Sequence, residues 1–422
     1  MSVQPATGAA GFLARYDGLR DRLPGDPAPR DAAARAFRTL GLPGAAAGRR
    51  EEAWKYTSLR PLADAPFHAP LSTVGADAAG LLRLAPARLV FLDGRYRPDL
   101  SNQPDGATFA SFADAPTFGT LARPERDPLV ALNTMLAEDG ARIEIPAGVD
   151  AGVVQLASLA TEAQGRSTAF HPRHAIRLGA GARLTLLETA TGAGAYLHNP
   201  VTEIVLDPGA VLHHVRLADE AAGAFHLATI YAELAEGAVY DGFTLVLGAR
   251  VARSEFHVRL AGADARAAIN AAQLLGGTQH ADVTSVVRHD APRGTSRQAV
   301  KNVLTGRSRG VFQGRIEVAR DAQKTDGYQM SQALLLSDQA EIDTKPELEI
   351  FADDVKCSHG ATVGALDPEQ MFYLRSRGVP EAEARAMLVH AFLTDALEAV
   401  AHEPTRAALD AAVTGWWERA GA

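Results

Sequence analysis

The sequence holds one cysteine, Cys357, in 422 residues. A lone thiol excludes an internal disulfide framework and suits a reducing compartment. It also excludes a self-contained thiolate metal cluster, which takes about four protein ligands, most of them sulfur. Basic charge is in short supply. The 42 Lys and Arg face 50 Asp and Glu, a net charge of −8, whereas broad nucleic-acid binding leaves a basic patch. No apolar run reaches the roughly 18 residues of a membrane helix. Residues 1–12, MSVQPATGAAGF, lack the basic and apolar blocks of a secretory signal. The expectation is a cytoplasmic chain with neither nucleic acid nor membrane as partner. Also missing are GxxxxGK[ST], GxGxxG after a strand, HExxH, CxxC and GxSxG, so no nucleotide site is made by this chain alone.

Present in quantity are apolar residues, 47% of the chain, enough for a sizeable core. The first sixty residues read as helical, over Gly11–Leu23 and Arg30–Leu40, with Pro-Gly breaks after each. Glu51–Leu62 carries an aromatic patch, Trp54-Lys55-Tyr56-Thr57-Ser58-Leu59. Pro61–Pro86 reads as an irregular connection, Leu89–Asp93 as a short buried strand and Asp127–Asp139 as one more helix.

From about residue 141 the pattern turns to β and repeats. Gly181, Gly209, Gly237 and Gly262 are spaced by 28, 28 and 25 residues, each followed by alanine. Three places on stand Leu184, Leu212, Tyr240 and Ala265, and the next place is polar each time: Thr185, His213, Asp241 and Arg266. Such a period marks stacked units. With no helix of about 10–15 residues between the strands, a parallel β-helix fits better than βαβ units, and an antiparallel sandwich is the bland alternative. The mainly-β core is expected over 106–356, between an N-terminal helical region and linker, 1–105, and a C-terminal helical region, 357–422. In the latter, Asp367 caps a helix, Pro380 and Pro404 open two more, and Ala384, Met387, Leu388, Ala391 and Phe392 form an apolar stripe.

Cys357 and His359 form a CxH pair, and on a strand both side chains share a face. Thiol and imidazole together suit iron or zinc, while a lone cysteine is more often a small buried hydrophobe. His213 and His214 should point to opposite faces of one strand, so they do not chelate one ion. Lys301, Arg307, Arg309 and Arg315 read as a solvated or salt-bridged face.

The stretch from about Lys301 to Gly378 resembles the SufB/SufD family of SUF-system iron–sulfur cluster assembly proteins. The residues that carry it are Lys324-Thr325, Leu334–Ser337, Lys345–Ile350, Asp353–Thr362 and Phe372–Gly378, with Trp54–Leu59 as a weaker match. The Cys-Ser-His-Gly form and the absence of further cysteines resemble the SufD branch. The resemblance implies a right-handed parallel β-helix between helical regions, and a non-catalytic scaffold subunit. It implies a heterodimer with SufB through β-helix strands and a SufC ATPase docked on the C-terminal helices, for which Phe372, Tyr373, Leu374, Arg375 and Arg377 are candidates. It makes His359 a candidate ligand of a transient iron–sulfur cluster shared with SufB, and Cys357 a second. Reduced flavin in the complex is a further implication to which no residue here can be assigned. Without its partner, an exposed strand edge can self-pair into a homodimer. The alternatives are a purely structural subunit that stabilises SufB and docks the ATPase without touching metal, and a β-helix enzyme such as a carbohydrate lyase or an acyltransferase.

Overall fold

The computed structural model describes residues 7–44, 52–70, 78, 80–103, 105–162 and 165–420. Part of the expected connection over 61–86, and the first six residues, lie outside them. From Ala141 onward the main strands alternate between two sheets, the first holding Val211–Asp219 and Thr295–Leu304 and the second Phe225–Leu234 and Val251–Leu260, so each coil gives one strand to each. Neighbours within a sheet are parallel. Val211 pairs with Val239, Val239 with Arg266 and Arg266 with Thr295, steps of 28, 27 and 29 residues. The core is a parallel β-solenoid, as the period predicted. Antiparallel pairs close its N-terminal end, Ala87–Leu92 with Arg95–Tyr96 and Thr108–Ser111 with Ala141–Ile145. At the other end the last strands are Glu341–Ile350 and Lys356–Gly364. The sheet therefore continues past residue 356, and both Cys357 and His359 lie in it.

Alternation decides what fills the lumen. Leu184, Leu212, Tyr240 and Ala267 form one inward column, all nearly inaccessible. Each large apolar side chain buried this way contributes about 1.5–3 kcal/mol. The coil corner corrects the sequence repeat. Gly181, Gly209 and Gly237 take left-handed backbone, φ 67°, 68° and 63°, but the next position is Asp264, φ 60°, not Gly262. Arg293 and Lys324 follow at φ 59° and 61°. A continuous backbone ladder runs over this corner, from Gly181 N donating to Pro208 O at 2.9 Å to Lys324 N donating to Asp354 O at 2.6 Å. That ladder offsets the roughly 1–2 kcal/mol that an L-residue loses in left-handed backbone. The glycine signal fades while the geometry persists, and the residues in register are Ala265 and Ala268 rather than Ala263 and Arg266.

Helices cover the outer faces. Phe12, Tyr16, Phe37, Trp54 and Leu59 pack on Phe225, Leu227 and Val251 of the second sheet. The aromatic patch is the clamp. Trp54 lies over the buried Arg253 guanidinium, 4.0 Å from it to the ring centre, and the Thr57 hydroxyl donates to Asp282. On the opposite side, the helices Glu381–Glu398 and Glu403–Ala420 bury Val389, Leu393, Leu397, Leu409, Val413 and Trp416 against Phe243, Leu245, Leu274 and Val303 of the first sheet. The stripe expected at Met387 and Ala391 is displaced: these two face solvent, and of the five only Ala384 is fully buried. Branched residues one or two positions on fit between the sheet's outward side chains better. Among the described residues no helix is long and apolar enough to cross a membrane.

Candidate functional site

The open end of the solenoid gathers the expected site residues. Cys357 sits in register with Gly327 and His359 with Gln329. These positions continue the inward columns: Cys357 stacks above Gly327, Ser296 and Ala267, and His359 above Gln329, Gln298 and Ile269. Both side chains therefore belong to the lumen face of the last strand, at its mouth. Their surroundings differ. Cys357 is half-buried against the cluster of Ile316, Val318, Ala322 and Ala352, and burial pushes its thiol above the ordinary value, with Asp326 adding to the effect. His359 is exposed.

Gln298 and Gln329 were not singled out from the sequence. Both are buried, and Gln298 Nε2 and both amide atoms of Gln329 lack a hydrogen-bond partner. Ser331 and Thr344 face each other across the same space, 3.4 Å apart. A polar lumen ending at a half-exposed thiol and an exposed imidazole differs from the apolar columns below it. Only register reveals it, because these residues are about thirty apart in sequence. Phe351 and Val363, 66% and 56% exposed, flank the end.

The other candidates lie on Pro368–Ser376, capped by the Asp367 side chain, with Arg377 at its C-terminal end. This helix buries none of its residues. Phe372 and Tyr373 are 73% and 55% exposed, and the Arg377 guanidinium lies 4.6 Å from the Tyr373 ring centre. Arg375 pairs loosely with Glu381 at 3.4 Å, and Leu374 is half-buried. The basic cluster is spread out. Arg309 pairs with Asp343, Arg315 with Glu317, and Arg307 is exposed. Lys301 points outward to the Phe392 carbonyl at 2.6 Å and Asp395 at 3.1 Å. His213 is half-exposed and His214 buried, on opposite faces as alternation requires.

The model of the SUF system FeS cluster assembly SufBD core domain matches residues 159–392. The iron-sulfur cluster assembly protein SufD of Escherichia coli is 33% identical over 361 residues, 84% of this chain and 85% of that protein. An iron-sulfur cluster assembly SufBD family protein of Synechocystis is 29% identical, over 88% of this chain and 86% of its own length. A chloroplastic protein of Arabidopsis thaliana is 28% identical over 90% of this chain and 86% of its own. The chain belongs to the SufBD family of SUF-system iron–sulfur cluster assembly proteins, and within it is SufD-like.

Proposed function

We propose that this chain is the SufD-type subunit of a cluster assembly complex, donating ligands to a nascent iron–sulfur cluster at a strand interface with SufB. The carrying observation is the open end: among the described residues no strand pairs with the outer edge of Lys356–Gly364, and His359 is exposed on that same strand. An edge of this kind takes another strand by backbone hydrogen bonding. The cluster is cargo here, and one thiol with one imidazole leaves about two ligands for the partner to supply. His359 is the better donor because it is accessible. Cys357 must first leave its apolar packing and lose its proton.

The C-terminal helices are the docking platform for the SufC ATPase, with Phe372 and Tyr373 as the exposed apolar contacts. A pull on these helices reaches the first sheet through Lys301 and the Val389–Trp416 face. A second reading, a structural subunit that touches no metal, is favoured by the packing of Cys357. Iron and acid-labile sulfide after anaerobic reconstitution separate the two, comparing the chain alone with its complex with SufB and SufC. Cluster formed only in the complex and lost with His359→Ala supports ligand donation. Cluster unchanged by that substitution leaves the structural role.

A further inference from the structure

Deep in the solenoid, where Val211–Asp219 turns into Phe225–Leu234, two imidazoles and a carboxylate converge. His198 and His226 are register partners on neighbouring coils, with ring centres 4.9 Å apart. Glu220 lies in the turn between the two strands. Its Oε1 is 3.1 Å from His198 Nδ1 and its Oε2 is 2.6 Å from His226 Nδ1. The three residues are only 3%, 5% and 3% exposed (His198, Glu220, His226). One ligand atom from each lies within 4.8 Å of the others.

Internal hydrogen bonds do not use these atoms up. His198 Nε2 is buried without a hydrogen-bond partner, and Glu220 Oε2 and His226 Nδ1 approach each other without hydrogen-bond alignment. A cavity of about 20 Å³ adjoins them, lined by His174, Glu188, Arg216, His198 and His226 among others. That is room for one water. The charges are also unbalanced. Arg216 is held by Glu188 at 2.9 Å and by Ser254, and among the described residues no Lys or Arg pairs with Glu220. A buried carboxylate is normally paired with a cation or bound to a metal.

We propose that His198, Glu220 and His226 bind one divalent first-row transition ion of the zinc or ferrous type, with a water in the adjoining cavity as a further ligand. Two imidazoles and a carboxylate suit such borderline ions, whereas calcium and magnesium take oxygen ligands. With the metal on His226 Nδ1, that ring carries its proton on Nε2, where Arg216 Nη2 now sits at 3.3 Å. Arg216 then keeps Glu188 and Ser254 and gives up this longer contact. Four strand steps of about 4.8 Å separate Phe225–Leu234 from the open end, roughly 19 Å, so the site stands apart from Cys357 and His359.

The full chain is refolded from urea with cobalt(II), desalted, and compared with Glu220→Gln, His257→Ala and the double variant Cys357→Ser/His359→Ala. His257 belongs to a second, half-buried cluster with Asp127 and Glu255. The expected result is one cobalt per chain, with visible d–d bands and no near-ultraviolet thiolate charge transfer. It persists in the His257 and double variants and is lost in Glu220→Gln. If Glu220→Gln does not fold, His198→Gln replaces it. No retained cobalt overturns the proposal, as does cobalt that stays in folded Glu220→Gln or His198→Gln or leaves with His257→Ala. A thiolate band lost in the double variant overturns it too.

Discussion

Replacing Lys301 with methionine should undock the C-terminal helices while leaving the solenoid intact. The lysine is 7% exposed and projects from the outer face of the first sheet. Its ammonium donates to the Phe392 carbonyl at 2.6 Å and lies 5.0 Å from the Phe392 ring centre. A hydrogen bond from a charged donor contributes about 1.5–3 kcal/mol. The Asp395 contact adds about 0.5 kcal/mol or less, because that carboxylate is 83% exposed. Methionine keeps the apolar stem, so the loss should be about 2 kcal/mol. At about 1.4 kcal/mol per factor of ten, the undocked population rises roughly thirtyfold. Hydrogen exchange followed by mass spectrometry reads this directly: Glu381–Glu398 and Glu403–Ala420 should exchange faster, and Arg266–Leu275 should not. Unchanged helix exchange, or an equal rise in the strand, would refute the argument.

Asp282→Asn should lower stability by about 3 kcal/mol, the lower end for breaking a buried ion pair, since Arg253 keeps Glu255 at 2.9 Å; a urea midpoint equal to the parent's would contradict it. The Cys357 thiol, raised by burial, should react with a disulfide reagent at pH 8 more slowly than free cysteine, and equal or faster labelling would show the site to be open. Burial lowers His174 and His289 to about 4. The unfolded chain therefore binds more protons below about 6.5, and stability should fall as pH drops from about 6.5 to 4; a denaturant midpoint flat across that window would show these rings to be solvated. His359→Ala should leave the unfolding free energy from a urea titration within about 0.5 kcal/mol of the parent's, and a larger loss would make the exposed ring a structural element.

Local pattern made the solenoid legible before any coordinates. The interval near 28 residues, the alternation along strands and the Asp367, Pro380 and Pro404 helix starts all express short-range geometry. The same logic put Cys357 and His359 on one face. It misjudged the corner at Gly262, because Asp264, Arg293 and Lys324 hold the left-handed backbone that glycine holds in earlier coils. It also misplaced the apolar stripe of Glu381–Glu398, since which face is buried depends on the sheet beneath.

By itself, the sequence determined the repeat, the ligand deficit of a one-cysteine chain and the motifs that carry the family. Tertiary structure alone decided which residues become neighbours. Gln329 comes under His359 and Trp54 onto Arg253 because stacking joins residues thirty or more positions apart, and Glu220 comes between two histidines because a turn and the neighbouring coil meet there. Register and burial set those contacts, and neither is written in any local stretch of chain.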